Sequence, residues 1–104
     1  MKELRQLARV IRSKNASPFE LTIDIILKNN RDYFTIKERD LINKTLIART
    51  YNIEEQEIRK IVYFDPALAI KVCMRRPCPS GSPGDTDVYG AQQHAPLLDL
   101  RIDI

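Results

Sequence analysis

The chain has 104 residues and a formal charge of +3, because 17 lysines and arginines stand against 14 acidic residues. This length predicts one domain, residues 1–104, with a modest core that a partner or a homo-oligomer would stabilise further. The basic residues are dispersed among acids, which excludes the long basic block typical of nucleic-acid-binding proteins. No apolar run approaches the roughly 20 residues of a membrane span, and the first residues lack the apolar core of a signal peptide. We therefore expect a cytoplasmic protein that binds neither nucleic acid nor a membrane.

The first half of the chain predicts a strand followed by helices. Residues 4–12 have apolar positions at helical spacing but also allow a strand, and residues 13–18 have the composition of a turn. Residues 19–27 alternate apolar and polar side chains in a β-branched run, which predicts a half-buried strand. Residues 32–51 predict one or two helices that end near Asn52, with Asn43 as an internal cap.

The second half predicts further strands. Residues 58–64 and 68–75 read as strands joined by an Asp65-Pro66 corner, and residues 97–102 as a last strand. Cys73 falls on the side of its strand opposite Ile70, together with Lys71 and Arg75, and we expect this side to face the helices or a partner. Antiparallel strands with helices on one face give an α+β sandwich.

A polar loop, residues 76–96, separates the last two predicted strands. It contains all three glycines and the only histidine of the chain, and few large aliphatic residues. Such long loops in small domains are mostly either functional or disordered. The variety of hydrogen-bonding side chains favours an ordered ligand or partner loop.

The two cysteines predict no metal site or disulfide. Cys73 and Cys78 stand five residues apart without a second pair, so in a reducing compartment we expect free thiols. Asp85 and Asp87 could hold Mg²⁺ through their carboxylates, but one Asp-x-Asp without a third ligand is more often turn chemistry. We therefore predict no metal and no cofactor.

Three stretches resemble a small bacterial family known only as a domain of unknown function (family 4387): residues 12–22, 64–71 and 79–98. That family occurs beside, or fused to, proteins similar to the large acyclic terpene utilisation protein AtuA. Chains similar to AtuA often end in a ferredoxin-like domain that opens with an Arg-Ser-Gly-Asp-Lys-Gly turn, and residues 7–15 are similar to that opening, although Lys14-Asn15 departs from its Gly-Asp. The resemblance implies a ferredoxin-like sandwich, a strand over residues 4–12 and an AtuA-like partner, but no reaction.

Two segments could bind an anionic ligand. Arg12 and Lys14, with Ser13 and Asn15, would form a forked donor site at a strand-to-strand turn, since arginine binds carboxylate or phosphate in two-pronged geometry. The alternative is a solvated turn. In the loop, the glycines permit the conformations that present backbone N–H groups to an anion. The loop residues predicted to contact the ligand are Ser80, Gly81, Ser82, Gly84, Asp85, Tyr89, Gln92 and Gln93.

His94 is the candidate catalytic residue. Its ordinary pKa suits proton transfer near neutral pH, and Asp87 or Tyr89 could orient it or share the proton transfer, with Asp87 as the second candidate catalytic residue. The alternative is a histidine that is hydrogen-bonded at the surface or at a subunit interface.

Two classes of function follow. In the first, the chain is the small subunit of a two-component enzyme whose large chain is AtuA-like, a hydratase or lyase acting on an acyl-CoA or carboxylic acid, and is not active alone. In the second, it is a non-catalytic interaction module that stabilises or regulates a partner.

Overall fold

The computed structural model describes residues 2–17, 19–75 and 95–104, and they form an α+β sandwich. The main layer is a four-stranded antiparallel sheet with the strand order β2-β3-β5-β4. Its strands are β2 (Ala8–Ser17), β3 (Glu20–Leu27), β4 (Ile58–Phe64) and β5 (Ala69–Arg75). The prediction of an antiparallel sheet with helices on one face is confirmed.

Two helices connect the two hairpins of the sheet. These are α2 (Asn30–Arg39) and α3 (Lys44–Tyr51). Asn29 caps α2 by accepting a hydrogen bond from the amide of Asp32 at 2.9 Å, and Asn43 caps α3 by accepting one from the amide of Leu46 at 2.9 Å. The predicted internal cap at Asn43 is thus confirmed, because an Asn side chain satisfies amides that the first helical turn leaves unpaired.

The core lies between the helices and one face of the sheet, which we call the inner face. Strand alternation places Ile23, Ile25, Ile70 and Val72 on this face, all without solvent exposure. The helices contribute buried side chains to the same cluster: Tyr33, Ile36, Ile47 and Ala48. None of the described helices has the length and apolar character needed to cross a membrane.

The two ends of the chain form a second, smaller layer. Strand β1 (Lys2–Glu3) pairs antiparallel with β6 (Arg101–Ile102), and two short helices, α1 (Leu4–Leu7) and α4 (Ala95–Leu98), lie beside them. The predicted strands over residues 4–12 and 97–102 are therefore wrong in part. The amide of Glu3 donates to the side-chain oxygen of Gln6 at 3.0 Å, which caps α1, and Leu4 and Leu7 are buried at helical spacing. Pro96 stands in the first turn of α4, where its missing N–H costs no hydrogen bond.

The main sheet takes β2, β3, β4 and β5, while β1 and β6 pair with each other. Within the main sheet a hairpin, a helix pair and a second hairpin follow one another along the chain. Only residues 18–19 separate β2 from β3, and the short turn Asp65–Ala67 with Leu68 separates β4 from β5, so each consecutive pair of strands closes directly on itself.

The predicted turn over residues 13–18 is largely a strand. β2 continues through Ser17, with Arg12 opposite Asp24, Lys14 opposite Thr22 and Asn15 opposite Leu21. Because the ladder pairs these residues with β3, it overrides their turn-forming composition.

Candidate functional site

The most accessible feature of the sheet is the face turned away from the described helices, which we call the outer face. The cross-strand register groups its side chains in rows that run across all four strands. An antiparallel sheet that is covered on one side usually presents polar residues on the other. The outer face departs from that rule in one row and follows it in the next.

One row of the outer face is apolar throughout, and we call it the apolar row. Its members, one from each strand, are Val10, Ile26, Ala69 and Phe64. Phe64 is 57% exposed and Val10 is 38% exposed. Val62, one row further along β4, is 40% exposed and extends the apolar surface. Exposed apolar side chains that adjoin one another mark a surface suited to binding a partner.

The next row carries charge. Arg12, Asp24 and Lys71 stand opposite one another on β2, β3 and β5. The Nε atom of Arg12 lies 3.4 Å from a carboxylate oxygen of Asp24, and the Arg12 side chain is 66% exposed. Such a long, exposed ion pair contributes little to stability, so most of the guanidinium stays accessible to another anion.

Three cations surround Cys73 on the outer face, and we call them the cation cluster: Lys60, Lys71 and Arg75. Lys71 and Arg75 flank Cys73 on β5, and Lys60 stands opposite it on β4. Arg75 stands opposite Glu20 on β3, and its Nη1 lies 4.0 Å from a carboxylate oxygen of Glu57. Lys60 and Lys71 form no ion pair within the described residues.

Cys73 itself is half-buried on the outer face, with its Sγ 4.0 Å from the hydroxyl oxygen of Thr22. The helices pack on the other face of the sheet, where Ile70 and Val72 lie. We expected the side of β5 that carries Cys73 to face either the helices or a partner. It does not face the described helices, so the expectation that it faces a partner stays a prediction.

The four residues predicted to form one anion site divide between the two faces. Arg12 and Lys14 project from the outer face, while Ser13 is buried and Asn15 half-buried on the inner face. The alternation of a strand separates neighbours in this way, so a single forked site made by all four at a turn is wrong. All the loop residues predicted to bind ligand or to act in catalysis, Ser80 through His94, lie outside the described residues.

Sequence reasoning missed a polar network at the corner between β4 and β5. The hydroxyl of buried Tyr33 donates to Asp65 at 2.6 Å, and the ammonium of Lys37 lies 2.9 Å from both Asp65 carboxylate oxygens. These donors hold the pKa of Asp65 below its ordinary value, and burial together with the bond to Asp65 raises that of Tyr33. The network ties α2 to Asp65, the first residue of the corner. The corner ends at Leu68, whose backbone is left-handed with φ 53°.

A signal for this network exists in the sequence but is weak. Tyr33 and Lys37 stand four residues apart on one helix, so they lie on the same side of it. Their partner Asp65 is 28 residues beyond Lys37, and no local pattern links the two. Within the parts of the chain that the structure describes, no three His, Cys, Asp or Glu side chains stand together in a way that could hold a metal ion.

Comparison with known proteins gives one match. A family model described as Domain of unknown function (DUF4387) matches residues 4–101. No curated protein matches the chain, and no solved structure does either. The matched range includes every residue of the apolar row and of the cation cluster.

Proposed function

We propose a function from two premises: the chain belongs to the domain-of-unknown-function family DUF4387, and the outer face of its sheet exposes the apolar side chains Val10, Val62 and Phe64. The protein is the small subunit of a two-component enzyme and docks through its outer face on a large chain. That large chain is AtuA-like, as the resemblance of residues 12–22, 64–71 and 79–98 implies. The assembled enzyme is a hydratase or lyase that acts on an acyl-CoA or a carboxylic acid.

The apolar row is the observation that carries the docking. Phe64 and Val62 expose a large part of their side chains in adjoining rows of a rigid sheet. Burial of such surface is the main favourable contribution to most protein associations. Aromatic residues are enriched at interfaces.

Arg12 and Lys14 support the choice of an anionic substrate. Both project from the outer face, on the strand that ends the sheet at one side, and among the described residues the one ion pair of Arg12 is its long contact with Asp24. A guanidinium and an ammonium on one face bind carboxylates or phosphates by charge-assisted hydrogen bonds. In the assembled enzyme they contact the carboxylate or the coenzyme A phosphates of the substrate, while His94 and Asp87 remain the candidates for proton transfer.

The test is reconstitution with an AtuA-like large chain from the same organism. The two chains are expressed together, and turnover of acyl-CoA substrates is compared for the large chain alone, the complex, and the complex with His94→Gln. We expect co-purification, a higher melting temperature for the small chain, turnover by the complex alone, and loss of turnover with affinity intact in the His94→Gln complex. Failure of the two chains to co-purify would contradict the proposal.

The second candidate is a non-catalytic interaction module. The favouring observation is that the outer face displays apolar and cationic side chains side by side, which suits association as well as substrate binding. In that case the large chain alone would turn over its substrate as fast as the complex, and the His94→Gln complex would be as active as the unmodified one.

A further inference from the structure

We propose that the cation cluster binds an acidic segment of the large chain, which lies across β5 and β4 beside the apolar row. This inference rests on the proposed function, because it specifies the partner chemistry at the docking face. It assigns to Lys60 and Lys71 a role that the candidate substrate residues Arg12 and Lys14 do not share.

The register of the sheet sets the spacing of the cluster. Lys60 pairs with Cys73, so Lys71 is its diagonal neighbour, while Arg75 lies on the side where the register shifts between Ile58 and Lys60. Diagonal positions on adjacent antiparallel strands are about 7–8 Å apart. Like charges at that spacing repel one another in the free protein. An anion that lies between them lowers this repulsion, so the cluster favours an anionic ligand.

The acidic residues of the outer face offset this cluster only in part. Asp24 stands opposite Lys71 but lies 3.4 Å from Arg12, and Glu20 stands opposite Arg75 but lies 3.3 Å from Arg59. The remaining acid, Glu57, approaches only Arg75. Among the described residues, β4 and β5 therefore carry more cations than the nearby acids pair with, and Lys60 and Lys71 are the ones outside any ion pair.

The neighbours of the cluster indicate a protein segment as its occupant. Lys71 stands opposite Val62, and Val62 adjoins Phe64 on the same face of β4. A ligand that covers both halves needs carboxylates next to apolar side chains, which a stretch of polypeptide supplies. The lysine side chains are exposed on the face of the sheet, whereas small-molecule sites are concave and bury most of their ligand.

Charge removal at the cluster, with a matched control, tests the inference. The double variant Lys60→Gln with Lys71→Gln is compared with Lys28→Gln plus Lys44→Gln, which removes the same charge from exposed positions outside the sheet strands. Affinity for the large chain is measured by calorimetry at low and at high salt, and affinity of the complex for coenzyme A is measured in parallel. We expect the cluster variant to bind the large chain about fivefold more weakly than the control at low salt, and the difference to shrink at high salt.

Each contrary result has its own meaning. A complex that forms equally well with the cluster variant and the control would overturn the inference and leave the proposed function standing. Loss of coenzyme A binding without loss of affinity for the large chain would also overturn it, since the cluster would then bind a small anion. No complex at any salt would overturn the proposed function and this inference together.

Discussion

Replacement of Phe64 by alanine should weaken binding to the large chain by about 2 kcal/mol. A phenylalanine can bury about 200 Å², and Phe64 is 57% exposed, so roughly 110 Å² remains for a partner to cover. Alanine retains only its methyl surface, and the lost area at about 25 cal/mol per Å² gives about 2 kcal/mol, or about thirtyfold in affinity. This value is the limit reached when the partner covers the ring completely.

Phe19 provides a matched control. It is 58% exposed, and it lies in the turn between β2 and β3, at the end of the sheet away from the apolar row. Affinities of the Phe64→Ala and Phe19→Ala proteins for the large chain are measured by calorimetry, with urea unfolding to show that both are folded. Equal affinities of the two variants, or a larger loss for Phe19→Ala, would refute the assignment of the apolar row to the interface.

Three further predictions concern the polar side chains. Tyr33→Phe should lower the free energy of unfolding at neutral pH, because the hydrogen bond to the ionised Asp65 is lost. The difference from the unmodified protein should vanish as the pH falls through the depressed folded-state pKa of Asp65, since the carboxylate stabilises the fold only while it is charged. Urea unfolding over a pH series checks this, and a difference that persists unchanged in acid would contradict it. Asn43→Ala should cost about 1 kcal/mol of stability, since the bond from the Leu46 amide is lost; an unchanged urea midpoint would show that the cap does not matter. Arg12→Ala should change the free energy of unfolding by no more than about 0.5 kcal/mol, because its ion pair with Asp24 is exposed. The same variant should weaken binding of a coenzyme A thioester by the complex by about 2 kcal/mol. Normal thioester binding would remove Arg12 from the substrate site.

Local patterns predicted the central elements of the fold. The strand patterns identified all of β3, β4 and β5, and Asn43 marked the start of α3. These features depend on periodicity and on capping within a few residues, which a sequence displays directly.

Features set by distant partners escaped the sequence. The extension of β2 to Ser17 depends on pairing with β3, and the capped helix α1 and the short pair β1 and β6 depend on contacts between the two ends of the chain. The contacts of Asp65 with Tyr33 and Lys37 likewise join separate elements. Tertiary contacts of this kind override local propensity and leave no local trace.

The candidate site was predicted in part. Arg12 and Lys14 do share an exposed face, and the side of β5 that carries Cys73 does lie away from the core. Ser13 and Asn15 lie on the other face because the segment is a strand instead of a turn. The apolar row joins four strands, so only the register of the whole sheet reveals it.

Protection of the Cys73 thiol tests the central claim most directly. In a Cys78→Ser protein, the rate of maleimide labelling at Cys73 is measured with and without the large chain. The control is a protein in which both native cysteines are replaced by serine and Glu38 by cysteine. Its single thiol lies at an exposed position of α2, in the helical layer. If the large chain covers the outer face, labelling of Cys73 slows strongly in the complex while the thiol at position 38 reacts as in the free protein. Unchanged labelling of Cys73 in a complex that protects position 38 would place the partner on the helices and contradict the account.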